Sequence, residues 1–335
     1  MMKNSILGLM LSFGTSAICV AQTSTQIEIR TEGVISNSPS EKIAVENAIS
    51  EASISETLSF LSSDELEGRK AGTAGIEKAA SYIEEVFKKN NVKPFFETYR
   101  DSFAIKELDA YNIVGYVEGT DPKLKDEFIV VGAHYDHIGS GKKVGDDSLA
   151  NGANDNATGT TVVLELAKYF AAHPPKRSFL FTLFSAEEMG LLGSKELAAR
   201  LKKDQIDLYL MFNIEMVGVP MTGRNYLGYL TGFEKSNLAE KFNAFAGEEV
   251  LGFLPEAAQY RLFMRSDNYA FFKEFGVPSH TVSTFDFTNY QYYHHVDDEF
   301  SEMDTAHMER FTESLVLPLM ELANTPEKEI KMLEK

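Results

Sequence analysis

Apolar positions along the chain change period several times, and each change marks an element. Ile54, Leu58 and Leu61 recur at helical spacing from Glu51 onward. After a Gly-rich link over residues 67–75, the same period returns through Ala79, Tyr82, Ile83, Val86 and Phe87, predicting a second helix. Short apolar runs then take over. Residues 128–133, 178–184, 208–214 and 279–284 read as the inner strands, the first two continuous enough to be covered on both faces. Helical patterns separate or follow them over residues 158–172, 190–201, 266–275 and 307–322. Repeated strand–helix order, with no internal repeat and no linker splitting it, predicts an α/β fold. The expected architecture is a three-layer sandwich, with a mixed, mostly parallel central sheet flanked by helices. This domain is expected over residues 51–325. Residues 22–50, rich in Ser, Thr, Glu and Asn, read as a flexible leader, and residues 326–335 as a charged tail.

The first residues carry a different pattern. Lys3 precedes an apolar run over residues 6–20, and Cys19-Val20-Ala21 places small residues before Gln22. This is the order of a secretory signal peptide over residues 1–21, so the protein is expected to be exported, to a periplasm or the extracellular space. Gly8, Ser12, Gly14, Thr15 and Ser16 interrupt the run and make it poor as a permanent span, the alternative reading. A lipid on Cys19 is disfavoured by the bulky Ile18 before it.

Composition narrows the chemistry. Hydrophobic residues make up 44% of the chain, enough for a sizeable core, while Lys+Arg 32 against Asp+Glu 50 gives a net charge of −18. No basic block offsets that charge, so nucleic acid and anionic membrane surfaces are poor partners. Cys19 is the only cysteine. Once a signal peptide is removed, a cysteine nucleophile, a disulfide and a thiolate metal site are all excluded, and any metal must be held by His and carboxylates.

Such residues gather at the ends of the apolar runs, where sites lie in open α/β sheets. His134-Tyr135-Asp136-His137 follows one run, Glu187-Glu188 a second and Glu215 a third. His134 alone reads more readily as a structural histidine; Asp136, two residues on, can orient its imidazole. Asp155, in a turn with glycines at 152 and 159, is either a helix cap or a site carboxylate. Glu187 and Glu188 are either a solvated pair or a metal ligand beside a proton carrier, since adjacent buried acids repel unless neutralised. His294 and His295 sit in a polar, aromatic stretch suited to a binding loop. Together these supply two His and three carboxylates with a spare Glu, a set that suits two zinc ions sharing a carboxylate.

These segments resemble the secreted two-zinc exopeptidases that include bacterial zinc aminopeptidases, aminopeptidase Y and the glutamate carboxypeptidases. The resemblance rests on residues 132–137, 152–159, 185–194 and 213–218, on Tyr293-His294 and on Asp297-Asp298, and it runs over about residues 52–324. It implies that Asp155 bridges two Zn2+, that His134 and Glu215 complete one metal's ligands, and that Glu188 and His294 complete the other's. Glu187 would be the general base, with Asp136 supporting His134. Glu215 stands where many members carry Asp, and His295 where a small hydroxyl residue is usual. The implied activity is that of a metallo-exopeptidase, an aminopeptidase acting on peptides with a free N-terminus. A one-zinc glutaminyl cyclase, a carboxypeptidase and a non-catalytic binding domain on the same fold are the alternatives.

Overall fold

A computed structural model describes residues 49–333; the expected signal peptide and the leader as far as residue 48 lie outside the described residues. The helices are α1 (Glu51–Leu61), α2 (Ala74–Lys89), α3 (Thr158–Ala172), α4 (Leu192–Lys203), α5 (Leu238–Ala246), α6 (Pro255–Gln259), α7 (Asn268–Phe275) and α8 (Thr305–Asn324). The strands are β1 (Lys93–Pro94), β2 (Arg100–Ile105), β3 (Leu108–Val117), β4 (Glu127–His134), β5 (Gly139–Val144), β6 (Asp147–Ala150), β7 (Ser178–Phe184), β8 (Asp207–Ile214), β9 (Gly228–Leu230), β10 (Leu251–Gly252) and β11 (Ser279–Ser283).

One mixed sheet has the order β1-β3-β7-β4-β8-β11-β9-β10, with β2 also paired to β3, and its four central strands, β7, β4, β8 and β11, run parallel. Their side chains alternate between two cores. Phe179, Phe181, Ile129, Val131, Leu210 and Phe212 pack with α1, α2, α3, α5 and α8 on one face. Leu180, Phe128, Val130 and Met211 pack with α4 and α7 on the other. Both sides of these strands are therefore apolar, which is why they read as continuous runs. Phe170 stacks on Phe179 at 4.6 Å and Phe179 on Phe181 at 5.5 Å. Each such ring contributes roughly 1.5–3 kcal/mol by leaving water.

The fold extends past both expected domain edges. Ile49 is buried, and the Ser50 side chain accepts the Ser53 N–H at the start of α1. In the stretch read as a charged tail, Ile330 is buried and Leu333 donates its N–H to the Lys235 carbonyl. Among the described residues, no helix is long and apolar enough to cross a membrane.

Strand register sets up the site. His134 pairs with Phe184, Gly132 with Asn213, and Val282 with Ile214. The chain thus leaves β4, β7 and β8 at one edge, carrying residues 134–137, 185–188 and 215 there.

Candidate metal and catalytic centre

Asp155 lies at the centre of the polar cluster. Its Oδ1 is 3.3 Å from His134 Nε2, and its Oδ2 is 3.2 Å from His294 Nε2. His294 Nε2 is also 3.1 Å from Glu188 Oε2. Asp155 Oδ2 and His294 Nε2 are buried and close, yet neither makes a well-aligned hydrogen bond to a protein group. Orphaned donor atoms at this spacing, with imidazole and carboxylate donors and no sulfur, fit divalent zinc.

The turn that carries Asp155 is fixed from several sides. Asp298 accepts the N–H groups of Asn154 and Asp155 at 2.7 and 3.1 Å, and Tyr290 donates its hydroxyl to the same carboxylate. Asn156 Oδ1 accepts the Met216 N–H, and Asn154 Oδ1 accepts the Gly218 N–H, each at 3.0 Å. Arg69, fully buried, donates to the carbonyls of Leu61, Tyr135, Asn151 and Gly152, tying the loop after β4 to the turn before α3. Gly152 needs its left-handed backbone (φ 63°) and its missing side chain, since a Cβ there would meet the His137 ring at 2.5 Å.

Asp136 does more than was expected of it. The His134 Nδ1 lies 3.1 Å from the Asp136 main-chain carbonyl, whereas the Asp136 carboxylate is 3.8 Å away. That carboxylate accepts the N–H groups of Glu187 and Glu188 at 3.1 and 3.4 Å and so positions the acidic pair. Ala186 takes a positive φ of 58° just before the pair, and His294 one of 55°. Backbone strain of this kind persists only where surrounding contacts over-determine it, and it gathers at functional sites.

Glu215 reaches the same edge but is held separately. The Ser266 hydroxyl donates a short hydrogen bond to its Oε2, and Ser266 is in turn bonded by Asn213 and Thr281. Its link to His134 and Asp155 is electrostatic. His295 stands apart from the cluster, with its Nδ1 3.4 Å from Asp297.

Charge in the centre is strongly perturbed. Burial pushes Glu187 well above the usual carboxylate range, and Asp267, Glu215 and Glu188 add to the rise. Burial also raises Glu215 and Asp136 to about 7. The close His134 and His294 imidazoles outweigh burial at Asp155 and hold it well below the usual range, while Asp155 and Glu188 raise His294 to about 10. Carboxylates this crowded stay ionised only beside positive charge, which protons or a divalent cation can supply.

A cavity of about 120 Å³ opens beside Glu215, lined by Met216, Tyr229, Arg265, Phe285, Phe287 and Tyr293. Larger cavities of about 970 and 500 Å³, near α5 and near Phe263, share no residue with the acidic centre. Ring contacts run outward from the centre. Tyr293 stacks on His294 at 4.0 Å, Phe285 on Tyr293 at 5.9 Å, and Phe287 meets Phe285 at 4.7 Å.

One close neighbour had no assigned role in the sequence. His137 Nδ1 is 3.0 Å from Glu188 Oε1 and 3.8 Å from Asp155 Oδ2. Its sequence signal was its place three residues after His134, at the end of the same strand.

A sequence model of peptidase family M28 matches residues 112–317. A probable zinc metalloprotease of Pyrenophora tritici-repentis is 40% identical over 106 residues, covering 32% of this chain and 24% of that protein. Aminopeptidase YwaD of Bacillus subtilis is 30% identical over 148 residues, covering 44% of this chain and 30% of that protein. The matched segments thus span less than a third of these relatives' own lengths. Among solved structures, an aminopeptidase from Aneurinibacillus sp. strain AM-1 superposes with a TM-score of 0.66 at 18% identity, covering 88% of this chain and 98% of that one. Glutaminyl cyclase of Porphyromonas gingivalis superposes with a TM-score of 0.63 at 15% identity, covering 82% and 99%.

Proposed function

The chain belongs to peptidase family M28, and from that membership together with the geometry of the centre we infer that it is a zinc-dependent aminopeptidase with two metals per chain. The observation that carries the reading is Asp155, whose two oxygens face His134 on one side and His294 on the other at 3.3 and 3.2 Å. A carboxylate with an imidazole at each oxygen is arranged to bridge. His134 and Glu215 would hold one zinc with it, and Glu188 and His294 the other. When bound, the pair supplies a polarised scissile carbonyl and a water of lowered pKa.

The chain's own groups do the rest. Glu187, whose proton affinity burial raises, takes the proton of the attacking water and passes it to the leaving amine. Asp136 holds the Glu187 N–H and thereby fixes where that carboxylate starts. The cavity beside Glu215 receives the side chain of the N-terminal residue, and the free α-amino group meets the acidic centre.

The deciding experiment is a panel of free-amino and N-acetylated peptides, with products identified before and after chelation. Release of N-terminal residues from free-amino peptides alone, lost on chelation and restored by zinc, is expected. Cyclisation of N-terminal glutamine without hydrolysis would move the protein to the cyclase chemistry of its structural neighbour. Release from the C-terminus would make it a carboxypeptidase.

Export is part of the same proposal, supported by the charged start, the apolar run over residues 6–20 and the small residues before Gln22. N-terminal sequencing of the exported protein should begin at Gln22. A chain that keeps Met1 would refute the cleavage.

A further inference from the structure

We propose that His137 is a direct metal ligand, through Nδ1, at the site formed by Asp155, Glu188 and His294. The assignment rests on the two-metal reading. It makes the two sites unequal: one metal takes four protein ligands, and the other takes His134, Asp155 and Glu215 with a position left open.

Geometry argues for it first. His137, Asp155, Glu188 and His294 each offer one donor atom, and these atoms all lie within 4.8 Å of one another. The separations are 3.0 Å from His137 Nδ1 to Glu188, 3.8 Å to Asp155, and 3.1 and 3.2 Å from His294 Nε2 to the same two carboxylates. Donors about 2.0–2.2 Å from a tetrahedral zinc stand about 3.3–3.6 Å apart. The imidazole–carboxylate separations, from 3.0 to 3.8 Å, bracket that range, with Glu188 meeting His137 through Oε1 and His294 through Oε2.

The second argument is where His137 Nδ1 points. The ring is buried, and its Nδ1 faces two carboxylates of the centre, Glu188 and Asp155. A buried histidine serving only the core looks different in this same protein. His280 engages Ser236 Oγ through Nε2 at 2.7 Å and the Thr231 carbonyl through Nδ1 at 2.8 Å. His137 Nδ1 instead meets two carboxylates that the centre already needs. Its ring is also locked in place. Gly152 abuts it, the His137 N–H is donated to the Arg69 carbonyl at 3.3 Å, and the His294 ring meets it edge-on at 5.6 Å. Preorganisation of this sort is worth little to a spectator and much to a ligand.

A site with four protein ligands leaves its metal fewer positions open to a chelator than a site with three. The His137 site should therefore retain zinc longer under chelation than the His134 site.

The test counts imidazoles and metals directly. X-ray absorption at the zinc edge and elemental analysis are applied to the full protein and to His137→Ala and His137→Asn, with zinc titrated calorimetrically into each metal-free protein. The expected result is three imidazoles shared by two zincs in the unmodified protein and two in either variant. The tighter binding constant should fall by more than the roughly 10–100-fold typical of losing an outer hydrogen-bond partner. Asn places an amide N–H where Nδ1 stood, so it can still bond Glu188 but is a poor zinc ligand. Two imidazoles in the unmodified protein, or near-full affinity in His137→Asn, overturns the proposal and leaves His137 as a hydrogen-bond donor to Glu188. Should either variant fail to fold, the imidazole count of the unmodified protein decides alone. A stoichiometry of one zinc defeats the two-metal reading separately. The fate of His137 is then decided by whether that zinc loses an imidazole in the variants.

Discussion

Glu187 and Glu188 are adjacent, similar and differently placed. Glu188 faces His137 and His294 through its two oxygens, while Glu187 is half-buried and makes no such contact. Glu188→Ala should lose metal and activity together. Glu187→Gln keeps the volume but removes the basic oxygen. It should keep its metal and its fold while kcat drops by about 10²–10⁴-fold, with a smaller change in KM. Steady-state kinetics beside elemental analysis check both; a Glu187→Gln protein that loses its metal would mean that the two roles are exchanged. At this scale the sequence was informative where a strand delivers a residue directly, as with His134, Glu187, Glu188 and Glu215. It was less so where the fold supplies a partner from afar. Nothing near Asp298 in the chain says that it accepts the N–H groups of Asn154 and Asp155, some 144 residues earlier. Nor does Ser266 announce that it holds Glu215.

At the scale of elements, the inner strands and long helices were legible because burial makes their pattern plain. The expected helix over residues 158–172 and strand over residues 178–184 coincide with α3 and β7. The edge was not legible. β1, β2, β9 and β10 and the β5–β6 hairpin carry short or half-exposed patterns, and they owe their state to the strand beside them. The Gly193 contact joins element to site. A Cβ there would lie 2.2 Å from the Ser185 carbonyl and 2.3 Å from Asn112 Oδ1, so the first turn of α4 can seat against the end of β7 only without a side chain. Gly193→Ala should force that helix outward and cost about 1–3 kcal/mol. Thermal unfolding measures the loss, and an unchanged midpoint would show that the junction is looser than its geometry.

For the whole molecule, one pH response can be separated from the crowded centre. Burial pushes His280 down to about 4. The unfolded chain, with an ordinary imidazole near 6.5, then binds the extra proton first as pH falls. The His280 contribution to stability is complete above about pH 6.5 and is lost progressively as pH falls to about 4, amounting to about 3 kcal/mol. His280→Gln, which cannot titrate, should give denaturant midpoints less sensitive to acid between those values than the unmodified protein. Equal slopes in the two proteins would refute the assignment. His280 bonds Ser236 and Thr231, neither of them a ligand candidate, and metal-free protein keeps metal binding out of the comparison.

The buried guanidinium of Arg69 bears on how the chain can be divided. It reaches forward to the carbonyls of Tyr135, Asn151 and Gly152 and back to that of Leu61. The stretch that matches the family begins only at residue 112. A protein cut to that stretch would lack the cation, and with it α1 and α2, whose Leu58, Leu61, Ile83 and Phe87 cover one face of the sheet. Three carbonyls beside the centre would lose their charged donor, and a broad apolar surface would meet water. The stretch that the family model matches is therefore smaller than the part whose core closes, and a fragment meant to fold alone should begin no later than the helix at Glu51.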